Sequence, residues 1–205
     1  MEEEEGNKRI ILASSSPRRR RILELLKVGF QIIEPHNCQE KLFRSPFKTV
    51  TCNSLIKAQD VYNRVIINNL SYTDTLVVSF DTIVYLNGKY FGKPQSIEEA
   101  GNFIRAFSNR THSVISGVTV LDSKTGSYLS DFEITKVKFK KLGSFEIDSY
   151  LKQEYVLDKA GAYDIYGFGA VLVEKINGCF YNVAGLPVFK FFNLLEKFEY
   201  KFLGS

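Results

Sequence analysis

An α/β fold is what this sequence predicts, and three observations predict it. Short apolar runs such as Ile10–Ala13 and Thr75–Leu86 end in turn-forming residues, as buried strands do. Segments with helical spacing separate these runs, at residues 49–68 and from Ile97 to Phe107. With 205 residues and 44% hydrophobic content, the chain can bury a core as one large domain or two closely packed lobes.

The first strand, Ile10–Ala13, runs into Ser14-Ser15-Ser16-Pro17, four arginines and then Ile22–Leu26. Ser16 suits a helix cap, and Pro17 suits the first helical position because it has no N–H to leave unpaired there. At about 100° per residue, Ile22, Leu23, Leu25 and Leu26 define the apolar face of this helix. Arg18 and Arg19 fall on its flanks, Arg20 points away and Arg21 lies to the side. Two guanidinium groups turned toward the protein body conflict with the positive end of the helix dipole. A bound anion removes the conflict, so serine hydroxyls, free N–H groups and arginines together predict a phosphate site.

Further along, Gly29 is read as a helix C-cap, Phe30–Ile33 as a strand, and residues 34–48, with Pro35 and Pro46, as a loop holding Glu40. In the helix at 49–68, Leu55, Ala58, Tyr62 and Val65 form one stripe. Val50, Ser54, Lys57 and Val61 share the neighbouring face, so Lys57 borders buried surface, where a lysine either snorkels or serves a site. Thr75–Leu86 is apolar enough to be central in a sheet, yet Asp81 stands in its middle. An ionised carboxylate buried without a partner costs several kcal/mol, so Asp81 must meet a cation, a metal or a cleft. Asn87-Gly88 is a hairpin turn, and Lys93 sits on a short stiff loop between Gly92 and Pro94.

Ser96 and Glu99 form a capping box for the helix to Phe107. His112–Leu121 and Ser127–Lys140 read as partner strands, with His112 in structural contacts. Lys136, Lys138 and Lys140 alternate with apolar residues, and a solvated sheet face explains that row better than nucleic-acid binding. Ser144 opens a helix, residues 158–169 form a glycine-rich loop, and Ala170–Ile176 reads as a strand. A helix carrying Val188, Phe191, Leu195 and Phe198 on its inner face closes the chain.

Composition narrows the class. No run approaches the ~20 apolar residues of a membrane span, and Met1 followed by four glutamates is unlike a signal or transit peptide. Three dispersed cysteines fit reduced thiols in a cytoplasmic protein, and a net charge of +4 favours anionic partners only weakly. Residues 1–8 are expected to be a disordered acidic N-terminus, and residues 9–200 one domain of two lobes.

Taken in order, several stretches resemble the Maf family of nucleoside triphosphate pyrophosphatases. They are Ser14-x-Ser16-Pro17-Arg18-Arg19, Lys57-Ala58, Asp81-Thr82, Gly92-Lys93-Pro94, Thr111-His112-x-Val114 and Thr135-x-Val137-x-Phe139. The series continues with Asp158-Lys159-Ala160-Gly161-Ala162-Tyr163-x-Ile165, Asn182-Val183 and Gly185-Leu186-Pro187. The resemblance implies an α/β fold with a curved mixed β-sheet, flanking helices and two lobes around a central cleft, similar to inosine triphosphate pyrophosphatase. It also implies cleavage of a nucleotide between its α- and β-phosphates with a divalent metal cation, Mg²⁺ or Mn²⁺, in a homodimer.

By position, Asp81 resembles the family's essential acid or base and Glu40 its second carboxylate, the two anchoring the metal. Arg19, Lys57 and Lys93 resemble its phosphate-binding cations, and Ser14 and Ser16 its first-loop hydroxyls. Arg18, Thr82 and Tyr166 occupy positions resembling the base-selective set. Arg18, Asp81-Thr82 and the loop at Asp158 resemble the branch acting on dTTP and UTP. Tyr166 stands where that branch usually has glutamine, which leaves a modified nucleotide open as substrate. Two alternatives to the enzyme are a catalytically weak nucleotide-binding regulator of growth or division and a nucleic-acid-binding module. The expectation on which the rest depends is that the serine-arginine corner and Asp81 share one anion-receiving cavity.

Overall fold

The computed structural model describes residues 8–202 except 37, 68 and 73. The expected disorder of residues 1–8 lies outside the described residues apart from Lys8, whose ammonium is 2.6 Å from Asp122. A mixed seven-stranded sheet has the order β2-β1-β3-β5-β6-β7, with β4 paired to β3. The strands are β1 (Arg9–Ala13), β2 (Gln31–Ile32), β3 (Thr75–Leu86), β4 (Lys89–Phe91), β5 (Thr111–Asp122), β6 (Tyr128–Phe139) and β7 (Val173–Asn177). The helices are α1 (Pro17–Leu25), α2 (Pro46–Val61), α3 (Ile97–Phe107), α4 (Ser144–Gln153), α5 (Phe180–Val183) and α6 (Val188–Lys197).

The chain divides into two compact units. The first holds residues up to Asp81, then Gly117–Phe132 and Gly185 onward; the second holds Thr82–Ser116 and Glu133–Ala184. In the first, β1 pairs in parallel with both β2 and β3, and Ala13 lies opposite Ser79. Buried on nearly every residue, β3 shows the continuous apolar character of a parallel strand covered on both faces. Ile11, Val77, Ala58 and Val61 meet in the core of this unit. In the second, Phe107, Phe139, Tyr150 and Tyr163 anchor a larger aromatic core.

Several local expectations change. α1 ends at Leu25 with Lys27 at φ 56°, so Gly29 is not its cap. α2 begins at Pro46 rather than residue 49, because Ser45 caps it, accepting from the Lys48 N–H. Its buried face holds Val50, Ser54 and Val61 together with Thr49 and Asn53, and only Ala58 of the predicted stripe is fully buried. Polar side chains are tolerated there because each is bonded: Ser54 Oγ lies 2.8 Å from Thr119 Oγ1. β7 starts at Val173, after a 3₁₀ turn over Phe168–Leu172, and Phe180–Val183 is a short helix.

Gly117 is demanded by packing: a Cβ there would lie 2.4 Å from the Val50 carbonyl oxygen. This close approach seats α2 on the first unit's part of β5.

Candidate active site

Parallel strands end on the same side of a sheet, and that is where open α/β sheets present their ligand-binding loops. The register Ala13↔Ser79 therefore puts Ser14, the next residue of the first chain segment, beside Phe80 and Asp81 of β3. Ser14 is buried, and its Oγ accepts the Ser16 N–H at 3.2 Å. It also accepts from Arg19 Nη1 at 3.1 Å, while Arg19 Nε donates to the Gly185 carbonyl at 2.9 Å. The Arg19 guanidinium carbon lies 5.6 Å from the centre of the Phe80 ring. Burial lowers the Arg19 pKa to about 10, against the raising effects of Asp81 and Glu40. The group stays cationic at neutral pH. Arg18 and Arg19 are half-buried and Arg20 and Arg21 exposed, the order the helical projection predicts, but Leu25, which that projection put on the apolar face, is 62% exposed, and only Ile22 and Leu23 are buried in α1.

Asp81, 6% exposed, has the cation that its burial requires. Lys57 Nζ stands 2.6 Å from Asp81 Oδ1 and 2.8 Å from Glu40 Oε1, so two carboxylates converge on one ammonium. A second helical residue, Asn53, donates from Nδ2 to Asp81 Oδ2 at 3.3 Å. Its Oδ1 accepts the Lys41 N–H at 2.8 Å, in the segment that carries Glu40. Sequence reasoning missed Asn53. The available signal was its spacing, one helical turn before Lys57 on the same face. Ser14, Arg19, Glu40, Lys57 and Asp81 thus all belong to the first unit, with Arg19 electrostatically coupled to both carboxylates. The serine-arginine corner and Asp81 therefore lie in the same unit, and Asp81 and Glu40 act electrostatically on Arg19.

The oxygen donors fit a hard cation. Among the described residues no group of three or more His, Cys, Asp or Glu is placed to hold a metal ion by itself. Mg²⁺ ordinarily takes one or two carboxylates and completes its shell with phosphate oxygens and waters. Glu40 and Asp81, already converging on one positive charge, are a donor pair of that kind.

The second unit holds Thr82, Lys93 and Tyr166. Thr82 Oγ1 lies 2.9 Å from Ser116 Oγ, which donates to the Asn182 carbonyl at 3.2 Å. The Tyr166 ring is perpendicular to Phe180 at 5.0 Å. Thr82, through Ser116, and Tyr166 are therefore both connected to α5. Lys93 is exposed on the turn after β4, and the Gly92 carbonyl before it accepts the Gly161 N–H at 2.9 Å. Gly161 has φ +72°, and a Cβ there would meet Val84 at 2.8 Å, so only glycine brings this loop so close.

His112 is structural: its Nε2 lies 2.8 Å from the Tyr163 hydroxyl, and burial lowers its pKa to about 3. The lysine row is tied down locally. Lys136 donates to Ser113, Lys138 to Asn109, and Lys140 pairs with Glu146 at 2.9 Å.

Strand order, serine-arginine corner and paired carboxylates together define a mixed α/β protein with a polar, charged site at the end of its parallel strands. The family model described as Maf-like protein matches residues 9–198, and the chain belongs to that family. A dTTP/UTP pyrophosphatase of Caldicellulosiruptor saccharolyticus is 40% identical over 185 residues, covering 88% of this chain and 91% of the relative. Proteins of the same name from a Thermoanaerobacter species and from Clostridium botulinum are 39% and 41% identical, over 86% and 70% of this chain and 89% and 73% of theirs. Among solved structures, the Staphylococcus aureus Ham1 protein aligns with a TM-score of 0.45 at 16% identity, covering 76% of this chain and 85% of that one.

Proposed function

We propose that this protein is a nucleoside triphosphate pyrophosphatase that hydrolyses a (deoxy)nucleoside triphosphate between the α- and β-phosphates, releasing the monophosphate and pyrophosphate. The observation that carries the reading is the Lys57 ammonium held between Glu40 and Asp81 beside the Ser14–Arg19 pair. Relatives named dTTP/UTP pyrophosphatase, at about 40% identity over most of the chain, support it. None of those relatives carries a regulatory name, so a catalytically weak regulator has no support.

Phosphoryl chemistry of this kind depends on neutralising phosphate charge and aiming a water in line. Arg18 and Arg19, with the Ser14 and Ser16 hydroxyls and the first-turn N–H groups of α1, bind phosphate oxygens. Lys57 and Lys93 offset further charge. Glu40 and Asp81 would hold a divalent cation, Mg²⁺ or Mn²⁺, which when bound would supply Lewis-acid chemistry. Asp81, on a rigid strand, takes the proton of the attacking water.

Within the second unit, Thr82 and Tyr166 are the side chains to which the family resemblance gives the choice of base. A phenol offers one hydroxyl and a stacking face where an amide donates and accepts together, so the substrate is dTTP, UTP or a modified relative. A homodimer in the cytoplasm completes the reading, the dimer from the family resemblance and the compartment from free Cys38, Cys52 and Cys179.

The test is a panel of dTTP, UTP, CTP and 5-modified pyrimidine triphosphates with Mg²⁺ or Mn²⁺, with products separated by ion-exchange chromatography. Equal release of monophosphate and pyrophosphate is expected. Release of inorganic phosphate and diphosphate, or no turnover with either metal, overturns the proposal.

A further inference from the structure

Asn53 is an amide on the buried face of α2, 2% exposed, where a helix normally places an apolar side chain. Both of its polar ends are used. The Lys41 backbone N–H can only donate, so the atom facing it at 2.8 Å must be Oδ1. That leaves Nδ2 turned toward Asp81 Oδ2 at 3.3 Å. One turn later Lys57 occupies the other oxygen of the same carboxylate, at 2.6 Å. A single helical turn therefore grips Asp81 by both oxygens. The same amide ties down the segment around Lys41, whose neighbour Glu40 reaches Lys57 at 2.8 Å.

We propose that Asn53 is a positioning residue for the phosphoanhydride-cleaving site. Its Nδ2 fixes the plane of the Asp81 carboxylate, and its Oδ1 anchors the Glu40 segment to α2. One side chain thereby sets the separation of the two carboxylates. The inference rests on the proposed function insofar as it takes Asp81 and Glu40 for the working carboxylates; the two hydrogen bonds stand without it.

Two substitutions separate its halves. Asn53→Asp keeps an acceptor for the Lys41 N–H and replaces the donor facing Asp81 with a repelling oxygen. Asn53→Leu keeps the same branching of four side-chain heavy atoms and removes both bonds. Steady-state kinetics on dTTP with Mg²⁺, run well below each variant's melting temperature, are paired with amide hydrogen exchange of residues 38–44.

In Asn53→Asp, kcat should fall by about 10-fold or more, the scale of one hydrogen bond to a charged group, with KM within about threefold and Lys41 exchange as in the parent protein. In Asn53→Leu, kcat should fall as well and Lys41 should exchange several-fold faster. An Asn53→Asp protein turning over within about twofold of the parent overturns the proposal and leaves the proposed function standing. So does unchanged Lys41 exchange in Asn53→Leu. A residue with a packing role alone would lower the melting temperature without this split. A parent protein releasing no pyrophosphate overturns the proposed function instead, and the exchange experiment then still decides whether Asn53 anchors the segment.

Discussion

Two helices of this protein start with the same dipeptide and use it differently. Ser16-Pro17 opens α1 and Ser45-Pro46 opens α2, with nearly the same backbone at the serine: φ −75° and ψ 115° against φ −89° and ψ 119°. Ser45 closes its helix, its hydroxyl accepting the Lys48 N–H at 3.4 Å. The Ser16 hydroxyl caps nothing, and the Ser16 N–H donates instead to Ser14. The local signal thus fixes where a helix begins and says nothing about whether its end is sealed. α1 starts where parallel β1 ends, beside Arg19 and Asp81, and an unsealed positive end there is useful only to an anion. α2 is sealed at its start, and its interior carries Asn53 and Lys57. One helix leaves its first serine hydroxyl without a capping bond; the other holds the Asp81 carboxylate by its side.

The largest effect should follow from removing what α2 holds. Asp81→Asn is expected to fold and to lose turnover by about 10²–10⁴, the range for a positioned acid or base. Near-normal kcat in that variant would leave α2 gripping a carboxylate with no chemical task. Next comes the α1 side: Arg19→Ala should raise KM for the triphosphate by about 10- to 100-fold, as loss of a charge-assisted contact does. A shift in base preference with KM untouched would move Arg19 out of the phosphate site.

These comparisons belong above pH 6.5, because of His112. Its folded pKa, about 3, lies below the ordinary 6.5, so the unfolded chain binds the proton first. Stability is full above 6.5 and declines as pH falls toward 3, at up to about 1.4 kcal/mol per pH unit. Urea midpoints at pH 7 and pH 5 check this, and equal midpoints would take the imidazole out of the acid response.

The α1 corner was legible because its meaning is local: strand, serines, proline and arginine directions follow from neighbours in the chain. The start of α2 was not. Its Ser45-Pro46 pair carries the same signal as Ser16-Pro17, but it lies in a stretch that Pro35 makes read as a loop. On the buried face of α2, Val50, Ser54 and Val61 were legible, but Thr49 and Asn53 were hidden for a physical reason, since both are polar and a search for apolar spacing passes over them. The Asp81 partner of Asn53 is 28 residues away. Asp81 itself was legible as a charge needing a partner, whereas Glu40, 56% exposed at its side chain, was found through family likeness alone.

The smallest effect is the most direct test of the two serines. Ser45→Ala removes a made capping bond and should cost about 1 kcal/mol of stability with kcat and KM unchanged. Ser16→Ala removes no capping bond, so its stability should stay within about 0.5 kcal/mol of the parent. If its hydroxyl meets a phosphate oxygen, KM should rise instead, by roughly the 5- to 10-fold that one neutral hydrogen bond is worth. Chemical denaturation and steady-state kinetics on the same two proteins read both quantities. Equal destabilisation with an unchanged KM would make Ser16 an ordinary cap, and the open end of α1 would then have no claim on the substrate.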